Sequence, residues 1–160
     1  MAEVGEVIMW AGAPGNPPPG FLYCDGTQVG QSDYPELYAV TGNSFGASPS
    51  PGNFYLPDLR GRFIRGVDDG AGRDPDVGSR TDMENTSVAY SGVGSIQPDA
   101  FRTHAHLFTG IINNQESLAA GSDYGGGTTP TMPAGGNETR PINAYLYFLI
   151  CCKSSGGASR

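Results

Sequence analysis

Cationic side chains are scarce in this chain. Nine of its 160 residues are Lys or Arg, Lys153 is the single lysine, and sixteen acidic residues leave a formal net charge of −7 with both histidines neutral. Such a balance gives no general electrostatic grip on phosphate backbones or anionic lipid, so neither nucleic acid nor a membrane surface is an expected partner. Long apolar runs are also missing. Nothing approaches the roughly 18 residues a bilayer span needs. The segment from Met1 to Glu6 has neither the basic start nor the apolar stretch of a signal peptide. The expectation is a product made in the cytoplasm, soluble and not inserted in a membrane. Cysteine is sparse too: Cys24 and the adjacent Cys151 and Cys152 cannot close a disulfide framework and read as reduced, small core residues.

Glycine and proline are abundant instead. Gly (25) and Pro (13) make up nearly a quarter of the chain, which excludes long helices and leaves short strands joined by turns. Glu6–Ala11 reads as a short apolar strand closed by the proline-rich stretch from Gly12 to Gly20. Phe21–Cys24 reads as a second strand. It runs into Asp25-Gly26, a dipeptide suited to a tight turn, with Thr27–Val29 returning as hairpin partner. Asp25 is a turn residue on this reading, not an acid catalyst.

One helix carries start and stop signals, from Ser32 to Gly42. Asp33 is placed to cap, Pro35 fits the first turn, Glu36 completes a capping box and Gly42 ends it, with Leu37, Val40 and Tyr38 facing the core. The last strand, Ile142–Cys152, is nearly all apolar and therefore covered on both faces, by a core or a subunit interface. The fold class that follows is α+β: mostly short β-strands and long loops with one short helix.

Several charged clusters admit two readings each. If the chain is extended at Arg60-Gly61-Arg62, both guanidinium groups share a face and are placed to hold a phosphate or carboxylate. The alternative is an internal ion pair with Asp58 or a neighbour, on a turn that pins the arginines. Asp68, Asp69, Asp74 and Asp76 offer hard oxygen ligands for calcium, but lack the regular spacing and closing glutamate of a calcium hand, so a solvated acidic loop is expected over Val67–Gln97.

The two histidines, His104 and His106, stand two apart in Asp99-Ala100-Phe101-Arg102-Thr103-His104-Ala105-His106. On a strand, side chains at i and i+2 project from one face, so both imidazoles reach one metal ion. Two ligands leave such a site incomplete, and no third histidine exists to finish it. Three copies around a three-fold axis supply six imidazole nitrogens, an octahedral set. Surface or hydrogen-bonded histidines are the plainer alternative. Gly110–Asn137 then supplies Asn, Ser, Gly and Thr with Tyr124 as its one aromatic, a composition that suits either a contact loop or a plain flexible one.

Four segments taken together resemble the phage tail collar domain: Gly5–Gly12, Pro19–Gly26, Tyr34–Tyr38 and Phe54–Phe63, in that order and spacing. Gln97–Ala100 ahead of the histidines, and Thr139–Asn143 before the last strand, resemble the tip of tail fibres and of contractile injection particles. The resemblance implies an intertwined or tightly packed homotrimeric fibre knob, with residues 1–66 as a collar-like domain and 67–160 as a metal-binding tip-like region forming one compact unit with it. It implies His104 and His106 as ligands of one structural transition-metal ion per trimer, whether iron, zinc or nickel.

Three functional classes follow. The first is a non-enzymatic adhesion module at a virion tail or on an extracellular phage-like particle, contacting bacterial surface polysaccharide or lipopolysaccharide as well as other tail proteins. Asn113, Asn114, Tyr124, Asn137, Arg60 and Arg62 are its candidate receptor contacts, and three weak sites gain avidity together. The second is a structural tail or baseplate collar protein that touches no host. The third, a metal hydrolase with Asp99 beside His104 and His106, is disfavoured because six nitrogens in a closed shell leave no position for a reactive water.

Overall fold

The computed structural model describes residues 2–100 and 141–153. The chain divides into two compact units, Met1–Pro98 joined with Asn143–Arg160, and Asp99–Ile142. Every described strand and helix belongs to the first.

Among the described residues the architecture is α+β, as expected from the turn-rich composition, with short strands in small sheets and one helix. In chain order the elements are β1 (Val7–Trp10), β2 (Phe21–Tyr23), β3 (Gln28–Gly30), α1 (Pro35–Thr41), β4 (Asn53–Tyr55), a 3₁₀ turn (Val77–Ser79), β5 (Thr81–Asp82), β6 (Ser95–Ile96) and β7 (Tyr147–Cys151). The main sheet has the order β1-β7-β2 and is antiparallel throughout; β3 pairs with β4, and β5 with β6. Strand β7 is nearly all apolar because it is central. Val7 and Leu22 both face Ile150 from its two sides, and Ile8 and Tyr23 both face Leu149.

The expected hairpin from Phe21–Cys24 to Thr27–Val29 does not form. Asp25-Gly26 makes a local turn without reversing the chain: Gly26 has φ +76°, the Asp25 carboxylate accepts the Thr27 N–H at 3.0 Å, and Cys24–Gly30 runs on in one direction opposite Asn53–Leu59. Beyond that turn the chain leaves the main sheet, and β3 takes β4 as partner, because the longer apolar β7 already occupies the edge of β2.

The core lies between one face of the main sheet and the helix with its small sheet. Leu37 and Phe54 are fully buried there, packed with Cys24, Leu56, Ile150 and Cys152, and Tyr34, Tyr38 and Phe148 lie against them. Burying each of the larger side chains contributes about 1.5–3 kcal/mol before chain entropy is charged. The Tyr38 and Phe54 rings stand 5.2 Å apart between centroids. Val40, in contrast, is 62% exposed and not a core residue.

Capping also departs from expectation. Tyr34, not Asp33, occupies the N-cap, and no side chain caps the helix. The N–H groups of Asp33 and Tyr34 both donate to the Gly30 carbonyl, so a backbone turn replaces the capping box. Pro35 begins the helix and Gly42 ends it, its N–H donating to Tyr38 O at 2.8 Å.

Candidate functional site

Two of the sequence motifs turn out to be halves of one structure. Gly26 N–H donates to Pro57 O, Leu59 N–H to Cys24 O and Leu56 N–H to Thr27 O, and Asp25 bridges Asp58. The approach is close enough that a Cβ on Gly26 would stand 3.1 Å from that of Asp58. Glycine is therefore required twice over at this position, for its positive φ and for its missing side chain.

On the outer side of this clasp, Asp58 and Arg60 form a two-pronged ion pair, Nε to Oδ1 and Nη2 to Oδ2, each at 2.8 Å. The hydrogen bonds from Arg60 hold the Asp58 carboxyl below the ordinary carboxylate value. The internal ion pair is thus the reading the structure supports for Arg60. Arg62 does not share a strand face with it. Gly61 at φ +65° turns the chain, the Arg62 N–H donates back to Leu59 O, and the Arg62 side chain makes no ion pair among the described residues.

The acidic stretch after Val67 is organised and not merely solvated. Asp68 accepts the N–H groups of Gly72, Arg73 and Asp74 at 2.9, 2.7 and 3.0 Å. Those bonds, that from Arg73 foremost, lower its pKa. Asp74 is buried, and Arg80 reaches it with Nε 3.0 Å from Oδ2, while Arg65 stands 3.7 Å from Oδ1. The Arg80 contact is an ion pair outside hydrogen-bond geometry, since Oδ2 accepts no hydrogen bond. Arg80 also donates to Ser91 O, and Gln97 donates to Asp76 O and Ser79 Oγ. Two of the four carboxylates expected in solvent, those of Asp68 and Asp74, are therefore spent on internal contacts, while Asp69 and Asp76 are exposed. Burial of a charge pair was invisible in the sequence, because neither partner's neighbours are apolar.

The second face of the main sheet carries an aromatic cluster that sequence reasoning missed. Trp10 and Tyr147 are cross-strand partners, and Tyr23 lies beside both, with centroid separations of 6.0, 6.2 and 5.2 Å around the triangle. A cleft of about 390 Å³ opens next to it, lined by Trp10, Ala11, Gly12 and Tyr145–Tyr147. The indole lies directly over Gly12, where any Cβ would overlap it. The signal available in the sequence was that the single tryptophan begins a Trp-Ala-Gly turn.

The three cysteines are free and buried. Burial, aided by the Asp25 charge, pushes the Cys24 thiol up to about 12, which keeps it a protonated core residue. His104, His106, Asn113, Asn114, Tyr124 and Asn137 lie outside the described residues. Asp99 is described and exposed. No group of three His, Cys, Asp or Glu side chains arranged to hold a metal occurs among the described residues, and no described helix is long and apolar enough to cross a membrane.

Residues 5–64 match the family model of the Phage Tail Collar Domain. The chain carries a phage tail collar domain. The match begins just ahead of β1 and runs through the Asp58–Arg60 turn, so it contains both halves of the clasp, while β7, the central strand of the collar sheet, comes from outside it. Along its length the chain is similar to RhiB of Rhizobium leguminosarum bv. viciae, 41% identical over 139 residues, covering 82% of this chain and 63% of that one. It is similar to StfE of Escherichia coli, 45% identical over 71 residues, 44% of this chain and 33% of that protein. It is also similar to the short tail fiber protein gp12 of Enterobacteria phage T4, 34% identical over 123 residues, 73% of this chain and 22% of that protein. The chain thus spans less than two thirds of the length of each of these relatives.

Proposed function

We propose that this protein is the receptor-binding tip of a phage tail fibre or phage-like contractile particle, a non-enzymatic homotrimer that adheres to bacterial surface glycan and is pinned by a structural metal ion. The observation that carries the reading is the collar match over residues 5–64, together with similarity to a short tail fiber protein that continues well past it. His104 and His106 would hold the ion. Their chemistry fits: two imidazoles per chain are too few for a site alone, and three chains supply a full octahedral nitrogen set. The bound ion supplies a cross-link between chains and no reaction. Asn113, Asn114, Tyr124 and Asn137 would be the glycan contacts, present three times over in the trimer. Threefold presentation raises avidity because the second and third contacts are effectively intramolecular.

Native mass measurement combined with metal analysis tests the assembly, and retention on whole bacterial cells tests the adhesion. The expected result is three chains with one ion, and loss of the ion and of thermal stability in the His104→Ala, His106→Ala double variant. Selective cell retention by the trimer supports an adhesin. A metal-bearing trimer that no cell retains would instead be a structural collar component of the tail or baseplate.

A further inference from the structure

Two surface strips of the collar unit complement each other, and among the described residues neither has a strand paired to its open side. The first is the stretch Arg62–Val67, every residue of which is exposed. Phe63 is 71% exposed, with Ile64 and Val67 also open, and among the described residues no backbone N–H or C=O from Phe63 to Val67 makes a hydrogen bond. Among the described residues Arg62 has no ion pair, while Arg65 stands 3.7 Å from Asp74 and donates to the Arg73 carbonyl at 3.4 Å. The second strip is the outer side of β1. Its inner side pairs with β7, and among the described residues no strand lies beyond it. There Met9 is 68% exposed, Val7 is open, and Glu3 and Glu6 stand exposed at the entrance to the strand.

We infer that Arg62–Val67 of one copy docks along the outer edge of β1 of the next copy, closing the three chains into a head-to-tail ring. An open backbone strip flanked by arginines and large apolar side chains needs an edge with free hydrogen-bonding groups, apolar neighbours and acidic residues. This same chain carries that edge, which commits the occupant to a second copy. Pairing each strip with itself across a two-fold axis would set like charge against like. Pairing the two different strips is a heterologous contact, and such contacts form rings when the rotation closes. The ring rests on the trimer proposed above and adds to it a contact remote in sequence from the histidines.

The test is a charge exchange with an independent cross-link. At low salt, Arg62→Glu and Glu6→Arg should each raise the concentration needed for assembly about tenfold or more, and the double variant should recover most of that loss. In chains bearing both Met9→Cys and Ile64→Cys, mild oxidation should give a covalent three-chain species, whereas neither single variant should. A trimer indifferent to both charge reversals, with no cross-link in the doubly substituted chain, overturns the ring contact and leaves the metal-pinned trimer standing. A wild-type protein monomeric at every concentration overturns both.

Discussion

Arg80 Nε stands 3.0 Å from Asp74 Oδ2, and the two side chains are 7% and 2% exposed. A buried pair of this kind is weak evidence of net stability, yet removing one partner strands the other in a poor solvent. Asp74→Ala should therefore cost about 3–5 kcal/mol, while replacing both residues by apolar ones of similar volume should cost much less. Urea unfolding midpoints at unchanged slope check both values. A small loss for Asp74→Ala would mean that water reaches the site or that the Ser91 carbonyl suffices for Arg80.

Leu37 is the side chain through which the helix joins the core, and with no side-chain cap the helix depends on that packing. Leu37→Ala should destabilise the protein by about 2–5 kcal/mol. The exposed Val40→Ala change, one turn along, should stay within about 0.5 kcal/mol. The difference is read directly from paired denaturation curves, and equal losses would contradict the burial pattern.

Gly12→Ala should expel the Trp10 indole from its seat without unfolding the sheet. Because the chain has one tryptophan, its fluorescence reports on this site alone. A red-shifted, more quenchable emission with little change in far-ultraviolet circular dichroism is the expected outcome, and an unshifted spectrum would show that the ring finds room elsewhere.

Acid should act in part through Asp58. Its pKa in the folded chain lies below the ordinary 3.8, so the folded state holds its proton less tightly than the unfolded state does. The stabilisation is fully present above the unfolded value and is lost as pH falls through the folded one. Arg60→Ala removes the group chiefly responsible. The gap in Tm between wild type and variant should be small, since Arg60 is 69% exposed, visible near neutral pH and closed at low pH. A gap that widens on acidification would have the wrong sign.

Local patterning was legible in the sequence wherever the decisive contacts are local. Glu6–Ala11, Phe21–Cys24 and Ile142–Cys152 stood out as apolar runs and contain β1, β2 and β7, though Ile142–Leu146 lies outside the strand and is exposed, and Pro35 and Gly42 bracketed the helix. What failed was pairing. Asp25-Gly26 looks like a hairpin turn, but the partner of β2 arrives more than a hundred residues later, and no local signal encodes that choice. The capping reading of Asp33 failed because the Gly30 carbonyl, unremarkable in sequence, receives both N–H groups. Val40 failed because a seven-residue helix buries a narrow stripe. Of the candidate site residues, Arg60 was legible through its spacing from Asp58, whereas the triangle of Trp10, Tyr23 and Tyr147 spans three strands far apart in sequence. Its members become neighbours only in the finished sheet.

The position of β7 between β1 and β2 fixes the order in which this molecule can mature. Until Tyr147–Cys151 has been synthesised, β1 and β2 are two outer strands with an empty lane between them. The sheet is then an unfinished template with four open borders, and any stray extended peptide is a rival for the lane. Completion of this sheet waits for β7: a polypeptide cut off ahead of Tyr147 carries the whole matched collar sequence and still lacks the strand that would hold its sheet together.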